Sequence, residues 1–390
     1  MSGLSHQLDR REAKRWLDLA ARLALRGMGD VEPNPMVGCV LVKGGQAIGL
    51  GHHRVFGSAH AEREALANAR ERGIDPRGAT AYVTLEPCRH FGKQPPCTEA
   101  LIAAGVARVI YAAGDPGGES GGGADLLRAA GIACEQSGAS ERAIAVTGPF
   151  LRRHATGLPW VIAKWAQTLD GRIATRAGQS QWISGAAARR RVHRLRARVD
   201  AVLVGGGTVL GDDPALTARG VGRVRRVARR VVLDSGLRTP TDARLLEPGG
   251  PGVTIFTTDG ADAGRRAGLE RAGAQVVALP SVDGRVDVRA ALAWLARERG
   301  VATVLVESGP TLLGSLVEHD LIDQALVHTA PMLLGDDRAL ASAGGRVAPS
   351  LSDARQYRIV RTGRVGGDSE LILERVRVTA AFGARPLTPR

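Results

Sequence analysis

The sequence predicts an α/β protein of two domains, and three observations carry the prediction. Strand-like and helix-like runs alternate along most of the chain, Gly157-Leu158-Pro159 interrupts the alternation, and 390 residues exceed one ordinary domain. The boundary falls between residues 155 and 156, giving an amino-terminal domain over residues 1–155 and a carboxy-terminal one over residues 156–390.

In the first part, residues 8–26 space Leu8, Trp16, Leu19, Leu23 and Leu25 as an amphipathic helix does. Residues 36–42 and 47–50 read as paired strands across the Gly44-Gly45 turn. His60 opens a helix-forming run to Arg72, residues 81–85 form a strand, residues 98–104 a helix and residues 108–112 another strand. The stretch 114–123 is a glycine-rich loop expected to be flexible and without chemistry, and residues 140–154 close the domain as a helix. In the second part, strands are expected at residues 161–166, 201–204, 230–233, 253–257, 275–279 and 303–306. The longest helices between them cover residues 186–198 and 288–299, and such alternation makes a central, largely parallel sheet.

Composition excludes several classes. No apolar stretch reaches membrane-spanning length, and residues 1–15 are too polar for a secretory signal, so a cytoplasmic protein with no membrane role is expected. Four cysteines in so long a chain argue for a reducing compartment and against a disulfide framework. The net charge of +14 raises a nucleic-acid reading, but only Lys14, Lys43, Lys93 and Lys164 are lysines and the arginines are scattered. Aromatic residues make up 3% of the chain, too few for a stacking platform, and the densest basic run, residues 223–230, reads as a surface loop. No nucleic-acid partner is therefore expected, and a homo-oligomer is neither required nor excluded.

Chemistry concentrates in His60-Ala61-Glu62 and in the run from Thr84 to Cys97, which contains Pro87-Cys88 and Pro96-Cys97. One His and two Cys suffice for a catalytic Zn2+, which keeps its fourth position for water, so His60, Cys88 and Cys97 are the expected ligands. A carboxylate two residues from the ligand His can move a proton from water to a leaving amine, and Glu62 stands there. Zinc deaminases use His-x-Glu followed by Pro-Cys-x-x-Cys. Here eight residues, rather than two, separate Cys88 from Cys97, enough for the loop to make substrate contacts of its own. Cys39 and Cys134 lie beside apolar residues and read as packing.

In the second half no Gly-x-Gly-x-x-Gly fingerprint follows an initial strand, so a Rossmann dehydrogenase is not supported. Gly205-Gly206-Gly207-Thr208 and the run from Ser308 to Gly314 instead follow strands and could present backbone N–H groups to a phosphate; a tight turn is the simpler account of either one alone.

With these motifs, the chain resembles the bifunctional riboflavin-biosynthesis deaminase/reductase family. The resemblance starts at Pro33-Asn34-Pro35-Met36-Val37-Gly38 and takes in the His60 and Cys88–Cys97 motifs. It resumes at residues 164–171, 180–185 and 207–216, and ends at Glu307-Ser308-Gly309-Pro310-Thr311-Leu312. It implies a cytidine-deaminase-like zinc domain followed by a dihydrofolate-reductase-like domain that uses NADPH. The implied substrate is a phosphorylated pyrimidine: deamination of 2,5-diamino-6-(5-phosphoribosylamino)pyrimidin-4(3H)-one would precede reduction of its ribosyl group to ribityl. The implied substrate contacts are Asn34, His53, His90 and Lys93 in the first domain, with His52 a competitor of His53. In the second they are Lys164, Ser180, Arg196, Leu216, Arg219 and Glu307. The implied cofactor contacts are Ala166, Trp182, Thr208, Asp212 and Ser235, together with Gly309, Pro310, Thr311, Leu312, Leu313, Gly314 and Ser315. The family usually has Thr where this chain has Gln94.

Opening the sugar ring for reduction needs a proton carrier, and Lys164, Asp212 and Glu307 are all candidates. Two competing readings remain on the residues alone. One is a nucleoside or tRNA deaminase fused to an unrelated reductase, disfavoured by the long cysteine spacing; the other is a nucleic-acid-binding protein with a structural zinc, which would need a fourth protein ligand.

Overall fold

The computed structural model describes residues 2–376, apart from residues 249 and 346. The chain divides into two compact units, the first running to Thr156 and the second from Gly157 to Val376.

The first unit starts with helix α1 (Ser2–Ala24), then strands β1 (Gly38–Lys43) and β2 (Gln46–His52), helix α2 (Ala61–Glu71), strand β3 (Thr80–Leu85), helix α3 (Cys97–Ala103) and strand β4 (Arg108–Ala113). Helix α4 (Gly123–Ala129), strand β5 (Ala133–Gln136) and helices α5 (Glu141–Val146) and α6 (Gly148–Thr156) complete it. The sheet order is β2-β1-β3-β4-β5, with β1 antiparallel to both neighbours and β3, β4 and β5 mutually parallel. Both faces are covered, so alternate residues of one strand enter two different cores. Cys39 and Leu41 pack with Ala61, Ala65, Leu66, Leu101 and Leu127 under α2, α3 and α4. Val40 and Val42 pack with Trp16, Leu17, Ala20 and Ile144 under α1 and α5.

The second unit contains strands β6 (Trp160–Gln167) and β7 (Arg172–Ala174), helix α7 (Ala186–Arg196), strand β8 (Ala201–Gly205), helix α8 (Gly206–Asp212), strands β9 (Arg229–Leu233) and β10 (Val253–Thr257) and helix α9 (Ala263–Arg271). After these come strands β11 (Ala274–Ala278), β12 (Ser281–Val282) and β13 (Arg285–Val286), helix α10 (Val288–Arg299), strand β14 (Thr303–Val306), helix α11 (Pro310–Glu318), and strands β15 (Gln324–Thr329), β16 (Leu340–Ala341), β17 (Tyr357–Val365) and β18 (Asp368–Arg375). Nine strands form one sheet in the order β11-β10-β9-β8-β14-β6-β15-β18-β17. It is parallel from β11 to β15 and antiparallel across β18 and β17. Ala163, Leu203, Val231, Phe256, Val304 and Val306 pack with Leu292 and Leu295 of α10 and Leu313 and Leu316 of α11.

Three expectations need correction. The helix expected over residues 140–154 is broken into α5 and α6 at Thr147-Gly148-Pro149, because proline supplies no N–H to continue the first helix. The run at residues 223–230 is a loop only to Ala228; Arg229 and Arg230 belong to β9, and Arg230 is 5% exposed, its guanidinium donating to Glu247 O. The glycine-rich stretch 114–123 is anchored by hydrogen bonds to residues 86 and 89.

Candidate functional site

Two sites emerge, one in each unit. In the first, His60 is the N-cap of α2 and Cys97 the first residue of α3, while Cys88 follows the end of β3. The ligand atoms of these three residues all lie within 4.8 Å of one another, forming the one group of three or more potential metal ligands among the described residues. His60 Nδ1 is 3.5 Å from Cys88 Sγ and 3.3 Å from Cys97 Sγ. One nitrogen and two sulfurs converging at that spacing suit zinc, with Zn–S near 2.3 Å and Zn–N near 2.0 Å. The Cys97 hydrogen bond, and then His60, hold the Cys88 thiol down to about 4, while the same bond and burial push Cys97 up.

Glu62 lies in the first turn of α2 and is 3% exposed. Burial, followed by the Cys88 charge, raises its carboxyl to about 6, with His60 pulling the other way. The His53 ring is 5.3 Å from that of His60, edge to face, and is 2% exposed. Its Nδ1 is 3.1 Å from Ala59 O and its Nε2 3.3 Å from Asn34 Nδ2, so the ring donates at Nδ1 and accepts from the amide at Nε2. Burial lowers the His53 pKa and keeps the imidazole neutral in this role. Asn34 and His53 thus form a unit beside the ligand cluster, and it is His53, not His52, that stacks on His60.

The inter-cysteine loop is tied at several points. Arg63 donates to the carbonyls of Pro95 and Pro96, and Gln94 Nε2 donates to Gly57 O at 2.9 Å. The residue that departs from the family's usual Thr thus anchors the loop to the segment before His60. Lys93 Nζ lies 4.0 Å above the Phe56 ring. His90 Nδ1 is buried without a hydrogen-bond partner, an open polar valence within the loop.

In the second unit a cleft of about 1530 Å³ opens at the carboxyl ends of β6, β8, β9 and β14, where parallel α/β sheets bind ligands. Lys164, Ala166, Ser180, Trp182, Arg196, Thr208, Asp212, Leu216, Arg219, Ser235, Glu307, Gly309, Pro310, Thr311, Leu312, Gly314 and Ser315 all line it. Leu313 does not: it is 4% exposed and packs in the core beneath α11. Arg196 Nε and Nη2 donate to the two Glu307 oxygens at 2.6 and 3.0 Å. Burial alone would raise the Glu307 pKa, but Arg196 and then Lys164 bring it below the ordinary carboxylate value. Burial lowers the Lys164 pKa, Glu307 opposing the effect. Ser180 Oγ donates to Asp212 Oδ1 at 3.1 Å. Asp213 and Leu216 adopt left-handed φ angles of 37° and 53°, strain of the kind that gathers at ligand sites.

The cleft fits a dinucleotide phosphate. Gly309 precedes α11, whose first residue is Pro310, and Ser308 Oγ is buried without a partner. Sequence reasoning missed Arg189, stacked 4.4 Å from the centre of the Trp182 ring, and Arg238, Arg244 and Arg285 on the cleft wall. In a chain with 53 Lys and Arg residues nothing local singles these arginines out.

Residues 10–113 match the family described as the cytidine and deoxycytidylate deaminase zinc-binding region, and residues 159–364 match the RibD C-terminal domain. The chain is 39% identical over 362 residues to riboflavin biosynthesis protein RibD of Escherichia coli (strain K12), covering 90% of this chain and 95% of that one. It is 37% identical over 357 residues to the protein of the same name from Bacillus amyloliquefaciens, covering 91% and 94%. Among solved structures it is similar to form 1 of Acinetobacter baumannii RibD, with a TM-score of 0.77, 34% identity and coverage of 94% of this chain and 99% of that one. It is equally similar to a diaminohydroxyphosphoribosylaminopyrimidine deaminase/5-amino-6-(5-phosphoribosylamino)uracil reductase from Thermotoga maritima, with a TM-score of 0.77, 33% identity and the same coverage.

Proposed function

The chain belongs to the RibD family of riboflavin-biosynthesis proteins, and we propose that Glu62 carries the proton in its deaminase reaction and Lys164 in its reductase reaction. The protein is a bifunctional enzyme: a zinc-dependent hydrolase that deaminates 2,5-diamino-6-(5-phosphoribosylamino)pyrimidin-4(3H)-one, and an NADPH-dependent oxidoreductase that converts the ribosyl group of 5-amino-6-(5-phosphoribosylamino)uracil to ribityl. We assign the first activity to residues 1–155 and the second to residues 156–390. A phosphorylated pyrimidine is the partner in both, with no role for nucleic acid. No described helix is long and apolar enough to cross a membrane.

In the deaminase, His60, Cys88 and Cys97 would hold zinc, which supplies a Lewis acid that makes water nucleophilic near neutral pH. Glu62 takes a proton from the attacking water and passes it to the leaving amine, so that C–NH2 and H2O become C=O and NH3. A carboxyl pushed up to about 6 suits that two-way transfer. The Asn34–His53 unit holds the polar edge of the pyrimidine. His90, through its unpartnered Nδ1, and Lys93 meet the substrate from the loop.

In the reductase, NADPH supplies a hydride when bound in the cleft beside Ala166, Trp182, Thr208, Asp212, Ser235 and the start of α11. The sugar's C1′–O4′ bond opens, O4′ takes a proton and C1′ takes the hydride. Glu307 is held as a carboxylate by Arg196, and Asp212 already accepts from Ser180. Lys164, whose pKa burial lowers, is left to deliver the proton. Arg219 meets the phosphate on the cleft wall.

The observation that carries the deaminase reading is a buried carboxylate beside three converging metal ligands. Ammonia release and NADPH oxidation recorded together from the diaminopyrimidine substrate test it. Native protein should show both signals, and Glu62→Gln should lose roughly 10²–10⁴-fold in both while still reducing supplied 5-amino-6-(5-phosphoribosylamino)uracil. Ammonia release at the native rate from Glu62→Gln would remove Glu62 from the mechanism.

A further inference from the structure

We propose that Glu86 and the glycine-rich loop at residues 114–123 form a support that presets Cys88 for the metal, which makes Glu86 a positioning residue of the zinc site. The inference rests on the reading of His60, Cys88 and Cys97 as zinc ligands. Glu86 follows β3, and its backbone N–H donates to Ala113 O at 2.8 Å. Its carboxylate accepts two backbone N–H groups, from Asp115 at 3.1 Å and from Ala124 at 2.9 Å. The second bond has a clear physical reason. Helix α4 has Gly122 as its N-cap, in a left-handed conformation and with no side chain to accept from the first turn, so Glu86 supplies the cap from another element.

The residues on either side of Cys88 lean on the same loop. A Cβ at Gly123 would stand 1.8 Å from Pro87 O, so only glycine allows α4 to begin against the ligand segment. Arg89 N donates to Ser120 O at 3.1 Å, and the Arg89 guanidinium donates to Gly118 O and Glu119 O at 3.0 and 3.3 Å. Cys88 itself is tied the other way, its carbonyl accepting from Thr98 N at 3.2 Å and Thr98 Oγ1 at 3.3 Å, one residue past Cys97. Both ligand cysteines are therefore fixed in one frame, with the loop as its outer wall. Groups that orient metal ligands in this way typically change metal affinity about 10–100-fold when removed.

The test uses the full chain. Zinc affinity is measured by competition with a chromophoric chelator, and Co2+-substituted protein reports ligand geometry through its thiolate charge-transfer and d–d bands. Glu86→Ala and Gly123→Ala should each bind zinc about 10–100-fold more weakly and shift the cobalt bands. Glu86→Gln, which keeps one acceptor oxygen, should fall between Glu86→Ala and the native protein. At saturating zinc the deaminase kcat should drop in Glu86→Ala with KM unchanged. Turnover of supplied 5-amino-6-(5-phosphoribosylamino)uracil should stay native throughout. A lower melting temperature accompanied by native zinc affinity and native cobalt bands would overturn the proposal, leaving Glu86 a fold residue only. Failure of native protein to bind zinc would instead overturn the metal-site reading beneath it. Should Glu86→Ala not fold, Glu86→Gln and Arg89→Ala carry the same measurements, since the Arg89 side chain is exposed.

Discussion

Charge compensation governs the residues of the reductase cleft. Arg196 and Glu307 keep only 13% and 14% of their side-chain surfaces exposed, and their two-point contact satisfies both. Removing one partner strands the other, so Glu307→Gln should lower unfolding free energy by about 3 kcal/mol, read from the urea midpoint. Because the folded pKa of Glu307 lies below its ordinary value of about 4.3, the unfolded chain binds more protons between those two values. The pair's stabilisation is therefore full above about pH 4.3 and is lost as pH falls through the folded value. Glu307→Gln should flatten that acid limb in unfolding measured against pH; an unchanged limb would mean that other carboxylates dominate it. For Lys164, replacement by Met keeps the stem and removes the proton. The expected result is a roughly 10²–10⁴-fold fall in NADPH oxidation on supplied aminouracil substrate, with ammonia release intact.

At the scale of elements, close backbone approach aims the chemistry. A Cβ on Gly51 of β2 would lie 2.1 Å from Ala61 O and 2.4 Å from Ala65 N, so α2 rests directly on the sheet there. That contact places His60 at the helix start and Glu62 in the first turn. Gly51→Ala should lift α2, cost about 1–3 kcal/mol in stability and depress ammonia release more than reductase turnover. Gly138→Ala, where nothing lies within 4 Å, is the control, and equal effects of the two would refute the argument. Helix α7 shows a different mode of attachment. Among its residues only Ala188 and Val192 are buried, and it is held by Arg196 on Glu307 and Arg191 on the fully buried Glu370, which also meets His328 at 3.2 Å. Just before it, Gly185 N donates to Asp368. Its arginine-rich sequence, part of a charge that along the chain looked merely scattered, supplies these side chains.

For the whole molecule, two units with separate cores predict two separable activities. Treatment with a zinc chelator should abolish ammonia release while NADPH oxidation on supplied 5-amino-6-(5-phosphoribosylamino)uracil continues; loss of both together would refute independent sites. The sequence by itself determined the α/β class, most of the strands, the family, and the identities of His60, Glu62, Cys88 and Cys97 as candidates. These rest on local information: strand periodicity, helix starts, and ligand types whose spacing is visible along the chain. It also showed where strands meet glycine-rich turns, although Tyr357–Val365 and Asp368–Arg375 went unread despite the Gly366-Gly367 turn between them. Tertiary structure alone decided that His53 rather than His52 stacks on His60, that Leu313 belongs to the core, and that Arg196 answers Glu307 across 111 positions. It also gave the glycine-rich loop its work, because Glu86 reaches Asp115 and Ala124 from 29 and 38 positions away. Such pairings depend on which strands become neighbours in a sheet and which face each residue takes, and no local pattern in one chain encodes that.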